Sequence, residues 1–194
     1  MDFLQSETLK NLARAYAGEC QAGARYQFLA QKAMEEGYQQ VQVLVKTIAK
    51  EEMAHAKVYW DKIAEKTGGK NDNIDVSGGY PFKSGSFEDM LKAARDAERS
   101  ENTSVYPAFA KIAEDEGFMD IAEVFKKVAV VENCHYLLLD QLYNMLTTKT
   151  MYKQDKEYKW KCSQCGYENE GKTPWKICPL CGLEQGYVQI PVQK

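Results

Sequence analysis

Two histidines occur in the chain, and each closes a Glu-x-x-His: Glu52-Met53-Ala54-His55 and Glu132-Asn133-Cys134-His135. On a helix, residues three apart share a face, so each motif aims a carboxylate and an imidazole at one point. The copies are in register. A shift of 80 residues lays Tyr26 on Tyr106, Ala30 on Ala110, Ala33 on Ala113, Glu36 on Glu116 and Gly37 on Gly117. It also lays Lys46 on Lys126, Ala49 on Ala129, Glu52 on Glu132 and His55 on His135, with Tyr38 opposite Phe118 and Val41 opposite Ile121. Such a repeat predicts two pseudo-equivalent helical hairpins, each supplying half of one site. A single Glu-x-x-His is ordinarily a solvated pair on a helix surface. Two in-register copies that use every histidine point to a shared site instead.

Apolar residues recur at three- and four-residue steps through four long stretches. The first predicted helix starts at Asp2 or Ser6 and runs to about Glu36; Leu9, Leu12, Tyr16, Tyr26 and Ala30 lie on its stripe, and Glu19 stands where a leucine would be expected. The second runs from about Gln39 to Lys66, the third from a cap at Ser86 to about Glu116, and the fourth from about Met119 to Thr147. Gly37 and Gly117 are expected to end the first and third. Pro107 should kink the third by removing a backbone donor. Residues 67–85 are rich in Gly, Asn and Asp and too long for a tight hairpin, so they predict a crossover between helix pairs. The expected fold is mainly α: a four-helix bundle with a long crossover over residues 1–148. A charged linker over 149–158 follows, then a small β-rich module over 159–194. So short a module cannot bury enough core alone and needs a metal staple.

Charge falls at positions read as buried on all four helices: Glu19, Glu52 with His55, Glu98 with Glu101, and Glu132 with His135. A Glu from each of two helices, with Glu-x-x-His from each of the other two, is the general pattern of ferritin-like di-iron and di-manganese bundles. The physics agrees. Ionised carboxylates gathered in one core are very costly unless cations neutralise them. Carboxylate and imidazole together suit iron or manganese better than zinc. The minimal set needs one Glu from the third helix, and this chain offers two; a spare carboxylate would let one metal change ligands as its charge changes. Tyr26 follows Glu19 by seven residues and Tyr106 follows Glu101 by five. Their hydroxyls are expected either to hydrogen-bond ligand carboxylates or simply to pack in the core.

The C-terminal stretch carries Cys162-x-x-Cys165 and Cys178-x-x-Cys181, each knuckle followed by a glycine, Gly166 and Gly182. Four thiolates in a tetrahedron bind zinc or a single iron, and the spacing does not choose between them. Trp160, Tyr167, Trp175 and Tyr187 would either keep such a centre dry or form the mini-core of a zinc ribbon. Cys20 and Cys134 are expected to be plain buried residues.

The net charge of −3 and the lack of a Lys/Arg stripe argue against nucleic acid as a partner. No run approaches the length of a membrane span. The first ten residues do not read as a secretory signal, and paired cysteines at metal spacing fit a reducing compartment. A cytoplasmic protein is expected.

Through Glu19 in AGECQAGARY, Glu52-x-x-His55, Glu98-x-x-Glu101 followed by Tyr106-Pro107, Glu132-x-x-His135, and CSQCGY with CPLCG, the chain resembles the rubrerythrin family over essentially its whole length. The resemblance implies a ferritin-like di-iron domain followed by a rubredoxin-like domain with one iron. It implies a non-haem di-iron peroxidase that reduces hydrogen peroxide to water in oxidative-stress defence. Glu52 and Glu132 would bridge the irons, Glu19 and Glu101 would be terminal to one, and Glu98 and His135 terminal to the other. On reduction the first iron would leave Glu19 for His55. Mechanistically, Glu101 or a tyrosine hydroxyl, Tyr26 or Tyr106, would relay protons. Electrons would come from NAD(P)H through a reductase, often with a rubredoxin, and enter at Cys162, Cys165, Cys178 and Cys181. The family resemblance also implies a homodimer, with or without domain exchange, in which one subunit's rubredoxin-like domain lies near the other's di-iron site. Zinc would fit either site in place of iron. A ferroxidase, an O2-reducing di-iron oxidase and a helical scaffold with a zinc ribbon remain open at this point.

Overall fold

The computed structural model describes residues 2–70 and 73–192. It contains five α-helices, α1 (Glu7–Glu35), α2 (Gln39–Thr67), α3 (Phe87–Ser100), α4 (Tyr106–Asp115) and α5 (Met119–Thr147), and two strands, β1 (Tyr158–Lys161) and β2 (Glu168–Gly171). The helices form a bundle of two hairpins, α1–α2 and α3/α4–α5. Ser6 Oγ caps α1 by accepting from the Leu9 N–H at 3.1 Å, and Ser86 Oγ caps α3 by accepting from the Asp89 N–H at 3.1 Å. Both hairpin turns close identically. Gly37 (φ +82°) and Gly117 (φ +88°) adopt the left-handed conformation. Behind them Tyr38 N–H reaches Ala33 O, and Phe118 N–H reaches Ala113 O, each at 2.8 Å. This is the 6→1 bond of a Schellman turn, and it needs a residue without Cβ penalty at the glycine.

The third rod differs from the expected kinked α-helix. Between α3 and α4, residues Glu101–Val105 form a π-helical turn, in which the Tyr106 N–H bonds Glu101 O five residues back. Pro107 sits at the start of α4, where its missing donor costs nothing. The turn therefore absorbs one extra residue upstream of the proline. The repeat shows the same residue: Tyr26 lies seven positions after Glu19, whereas Tyr106 lies eight after Glu98. Eight α-helical steps would leave Tyr106 about 80° off the Glu98 face; seven leave it about 20° off. The π turn restores that face.

The described crossover residues 73–85 run along α1 without regular structure. Arg14 Nε donates to Ser77 O (3.0 Å), Gln21 Nε2 to Pro81 O (2.8 Å), and Tyr80 OH to Arg14 O (3.1 Å). Two apolar clusters fill the bundle. One holds Tyr26, Leu29, Ile48, Phe87, Leu91 and Leu139; the other holds Leu12, Tyr59, Tyr106, Ile121 and Phe125. The acidic layer lies between them.

In the C-terminal module β1 and β2 pair antiparallel, Trp160 opposite Asn169. Trp160 is fully buried and its Nε1–H donates to Gly171 O. The module packs on the bundle: Met151 and Ile190 join the bundle's first cluster. Gly186 seats against the α1–α2 turn so closely that a Cβ there would overlap the Gly37 carbonyl and Gln39 Oε1. No helix among the described residues is long and apolar enough to cross a membrane.

Candidate metal centres

The carboxylates and histidines meet between the two apolar clusters. Glu19, Glu52, Glu98 and Glu132 are at most 1% exposed, and His55 and His135 are 9% and 4% exposed. They form two groups that share two members. Glu19, Glu52, His55 and Glu132 make one; Glu52, Glu98, Glu132 and His135 make the other. His55 Nδ1 lies 2.9 Å from Glu132 Oε1, 3.2 Å from Glu52 Oε2 and 3.7 Å from Glu19 Oε2. His135 Nδ1 lies 2.8 Å from Glu132 Oε2, 3.1 Å from Glu52 Oε1 and 3.6 Å from Glu98 Oε2. Each of Glu52 and Glu132 thus turns one oxygen to each histidine. The two rings lie 5.8 Å apart and 30° from parallel.

Several of these atoms are buried without an aligned hydrogen bond: Glu52 Oε1, Glu98 Oε2, both oxygens of Glu132, and His135 Nδ1. One ligand atom from each member of a group lies within 4.8 Å of the others, so each group surrounds a common point. Buried polar atoms left so would be costly; a cation at each point satisfies them. Burial pushes Glu19 and Glu98 up to about 7. Burial disfavours the charged form of His55, but Glu132, Glu19 and Glu52 hold its pKa up at about 12. Two cations bound here would displace protons from these groups. The donor set fits two iron ions.

Glu101 stands outside both groups. It opens the π turn, is half-buried, and lines a cleft of about 430 Å³ with Arg14, Gly18, Tyr80 and Tyr106. Burial and the nearby Glu98 and Glu19 raise its carboxyl well above the usual range. The family resemblance pairs Glu101 with Glu19 and trades Glu19 for His55. The structure groups Glu19 with His55 and sets Glu101 beside the cluster, where the charges of Glu98, Glu19, Glu132 and Glu52 all act on it.

The tyrosines bond across the bundle, not along their own helices. Tyr26 OH on α1 donates to Glu98 on α3, and Tyr106 OH on α4 donates to Glu19 on α1. The two pairs are related by the repeat. Burial raises both phenols well above their ordinary value, so they remain donors. Glu51, which sequence reasoning missed, lies behind His135: the ring's Nε2–H donates to Glu51 Oε2 at 3.0 Å. A glutamate beside Glu52 on a half-exposed flank gives no periodic signal. Cys134, expected to be buried, is exposed, and Cys20 is half-buried. One helical step of about 100° carries Cys134 off the inward line of His135.

In the C-terminal module all four thiols converge. Cys162 and Cys181 sulfurs are 3.8 Å apart, and Cys165 and Cys178 sulfurs 3.6 Å apart. The knuckles are alike: Gly166 N–H bonds Cys162 O and Gly182 N–H bonds Cys178 O, each at 2.9 Å. Both glycines have φ near +75°, a turn that a Cβ would strain. Tyr167 and Trp175 pack edge to face at 5.1 Å. Four sulfurs at this spacing fit one tetrahedral iron.

A helical bundle with two positions sharing two carboxylates, joined to a four-thiolate module, defines a ferritin-like di-iron protein carrying a rubredoxin-like centre. The family model for rubrerythrin matches residues 10–143, and that for the rubrerythrin rubredoxin-like domain matches residues 160–187. The chain belongs to the rubrerythrin family. It is 38% identical to rubrerythrin-1 of Clostridium acetobutylicum over 186 residues, 95% of this chain and 94% of that one. It is 36% identical to a putative rubrerythrin of Methanocaldococcus jannaschii over 97% of this chain and 94% of that one. A partially reduced nigerythrin structure superposes with a TM-score of 0.64 at 28% identity, covering 94% of this chain and 86% of that one. The chain is thus an oxidoreductase of iron-based oxidative-stress defence, with a di-iron site and a four-cysteine site.

Proposed function

We propose that the protein is a peroxidase that reduces hydrogen peroxide to two waters with two electrons and two protons. The carrying observation is the closed, paired ligand set with a four-thiolate module in the same chain: a site for a two-electron step beside an entry for single electrons. Glu19, Glu52, His55, Glu98, Glu101, Glu132 and His135 would hold two iron ions, which would supply the two electrons. Tyr26 and Tyr106 fix Glu98 and Glu19 in place. Glu101, which faces the cleft, is the proposed proton donor. Cys162, Cys165, Cys178 and Cys181 would hold one iron for single-electron transfer, with an NAD(P)H-linked reductase or a rubredoxin as the proposed donor.

The proposed division is a bundle over 1–148, a linker over 149–158 and the module over 159–194. In one chain the module sits at the α1–α2 turn, and α2 rises about 24 Å from Gln39 to His55. A homodimer that brings one module to the other subunit's site shortens that path. We place the protein in the cytoplasm, with neither membrane nor nucleic acid as partner. Iron-loaded protein given a reductase and NADH should consume one peroxide per NADH. Glu101→Ala should slow turnover about 100-fold or more, the usual worth of a placed acid. Unchanged turnover in Glu101→Ala would remove that residue from the proton path. Accumulation of a mineral iron core would replace the peroxidase reading with iron storage.

A further inference from the structure

The pseudo-symmetry of the two hairpins breaks at one point beside the metal centre. His135 donates through Nε2 to Glu51 Oε2 at 3.0 Å. A carboxylate only accepts, so the proton of a neutral ring is fixed on Nε2 and the Nδ1 lone pair faces Glu52, Glu98 and Glu132. The residue related to Glu51 by the 80-residue shift (51 + 80) is Val131. Valine accepts nothing. Accordingly, every ion-pair contact of His55 runs through Nδ1, and among the described residues no carboxylate lies against its far nitrogen. The two rings are otherwise matched in burial and in their three carboxylate neighbours. Glu51 sits one helical step from Glu52, so the same turn of α2 feeds a bridging carboxylate to the site and a second carboxylate to the back of the opposing histidine. It is half in solvent, on the wall of a groove of about 650 Å³ between α2 and α5 that His135 also lines.

We propose that Glu51 is a positioning residue that makes the two metal positions unequal. It holds His135 as the fixed ligand of the Glu98 position. Val131 leaves His55, at the Glu19 position, without such a partner. Glu51 touches neither metal nor substrate and acts only through the ring. The inference rests on the two-metal reading of the cluster and not on peroxide being the substrate.

Two histidines make the test clean. Full-chain protein labelled with ¹⁵N-histidine is titrated with zinc, a diamagnetic probe, and followed by calorimetry and by imidazole ¹H–¹⁵N spectra, with His55 assigned by a His55→Asn variant. The wild type should bind two zinc ions in the bundle besides the one held by the thiolates, and should show one slowly exchanging ring N–H, that of His135. Glu51→Ala should weaken one bundle ion by about 10- to 100-fold, the usual cost of losing such a partner. It should expose the His135 N–H to exchange and leave the other bundle ion and the thiolate ion unchanged. Glu51→Gln, whose amide oxygen still accepts, should restore both. Val131→Glu should create a second protected N–H, on His55. Equal weakening of both bundle ions in Glu51→Ala, or no change in affinity and N–H exchange, would overturn the proposal. Fewer than two bundle ions in the wild type would overturn the two-metal reading itself, without recourse to any variant.

Discussion

Replacing Tyr26 or Tyr106 with phenylalanine removes one hydroxyl and leaves the packing intact. Both residues are at most 2% exposed, so water cannot take the vacated place. Each substitution deletes a hydrogen bond to a carboxylate that is itself buried: Tyr26 to Glu98, Tyr106 to Glu19. A hydrogen bond to a charged group contributes about 1.5–3 kcal/mol. In a chain of this length, about 2 kcal/mol lowers Tm by about 4–8 °C. The repeat relates the two pairs, so the two losses should be similar in the metal-loaded protein. Metal binding adds a second signature for Tyr26. Its hydrogen bond favours ionised Glu98, so Tyr26→Phe moves that carboxyl's pKa further up and strengthens the proton against the metal. The pH of half-loading should therefore rise. Calorimetry of both variants, with a metal-loading titration against pH, measures all of this. A Tm change below about 1 °C in either variant, or a large loss in only one, would refute the cross-bundle pairing.

Gly186→Ala should push the C-terminal module off the α1–α2 turn, at about 1–3 kcal/mol for the overlap, and be seen as faster proteolysis within residues 149–158 with the four-thiolate spectrum unchanged. Glu116 accepts from the Glu7 and Thr8 N–H groups and the Thr8 hydroxyl; burial opposes its charge, but these bonds lower its pKa below 4.5. A depressed pKa contributes stability that is present above pH 4.5 and lost as pH falls through the folded value. Glu116→Gln should flatten that acid limb of a urea-unfolding profile and leave neutral-pH metal content unchanged. Cys165→Ser should abolish the tetrahedral iron spectrum and leave the bundle's two metals bound, read by metal analysis and visible absorption.

The convergence of Glu19, Glu52, His55, Glu98, Glu132 and His135 was legible because its constraint is local and doubled: Glu-x-x-His reads on one helix face, and the repeat supplies the second half. The cysteine knuckles are equally local. The π turn was not read, because apolar periodicity assumes one helical pitch throughout. Yet its trace is arithmetic: the shift that aligns Tyr26 with Tyr106 lays Glu19 on Arg99 and misses Glu98 by one residue. For the tyrosines, packing and a hydrogen bond to a carboxylate were both open in the sequence, and no partner was legible, since spacing carries no information about which helix faces which. Glu51 and Gly186 gave no signal at all. One resembles any solvated glutamate, and the other matters only because two distant segments meet there.

The central claim is that the paired site reduces peroxide and draws electrons from the four-thiolate iron. The direct measurement is anaerobic: fully reduced, iron-loaded protein is mixed with stoichiometric hydrogen peroxide or with O2, and both iron centres are followed by stopped-flow absorption. The account predicts fast oxidation of both centres by peroxide and slow oxidation by O2. Equal or faster reaction with O2, or no reaction of either centre with peroxide, would contradict it.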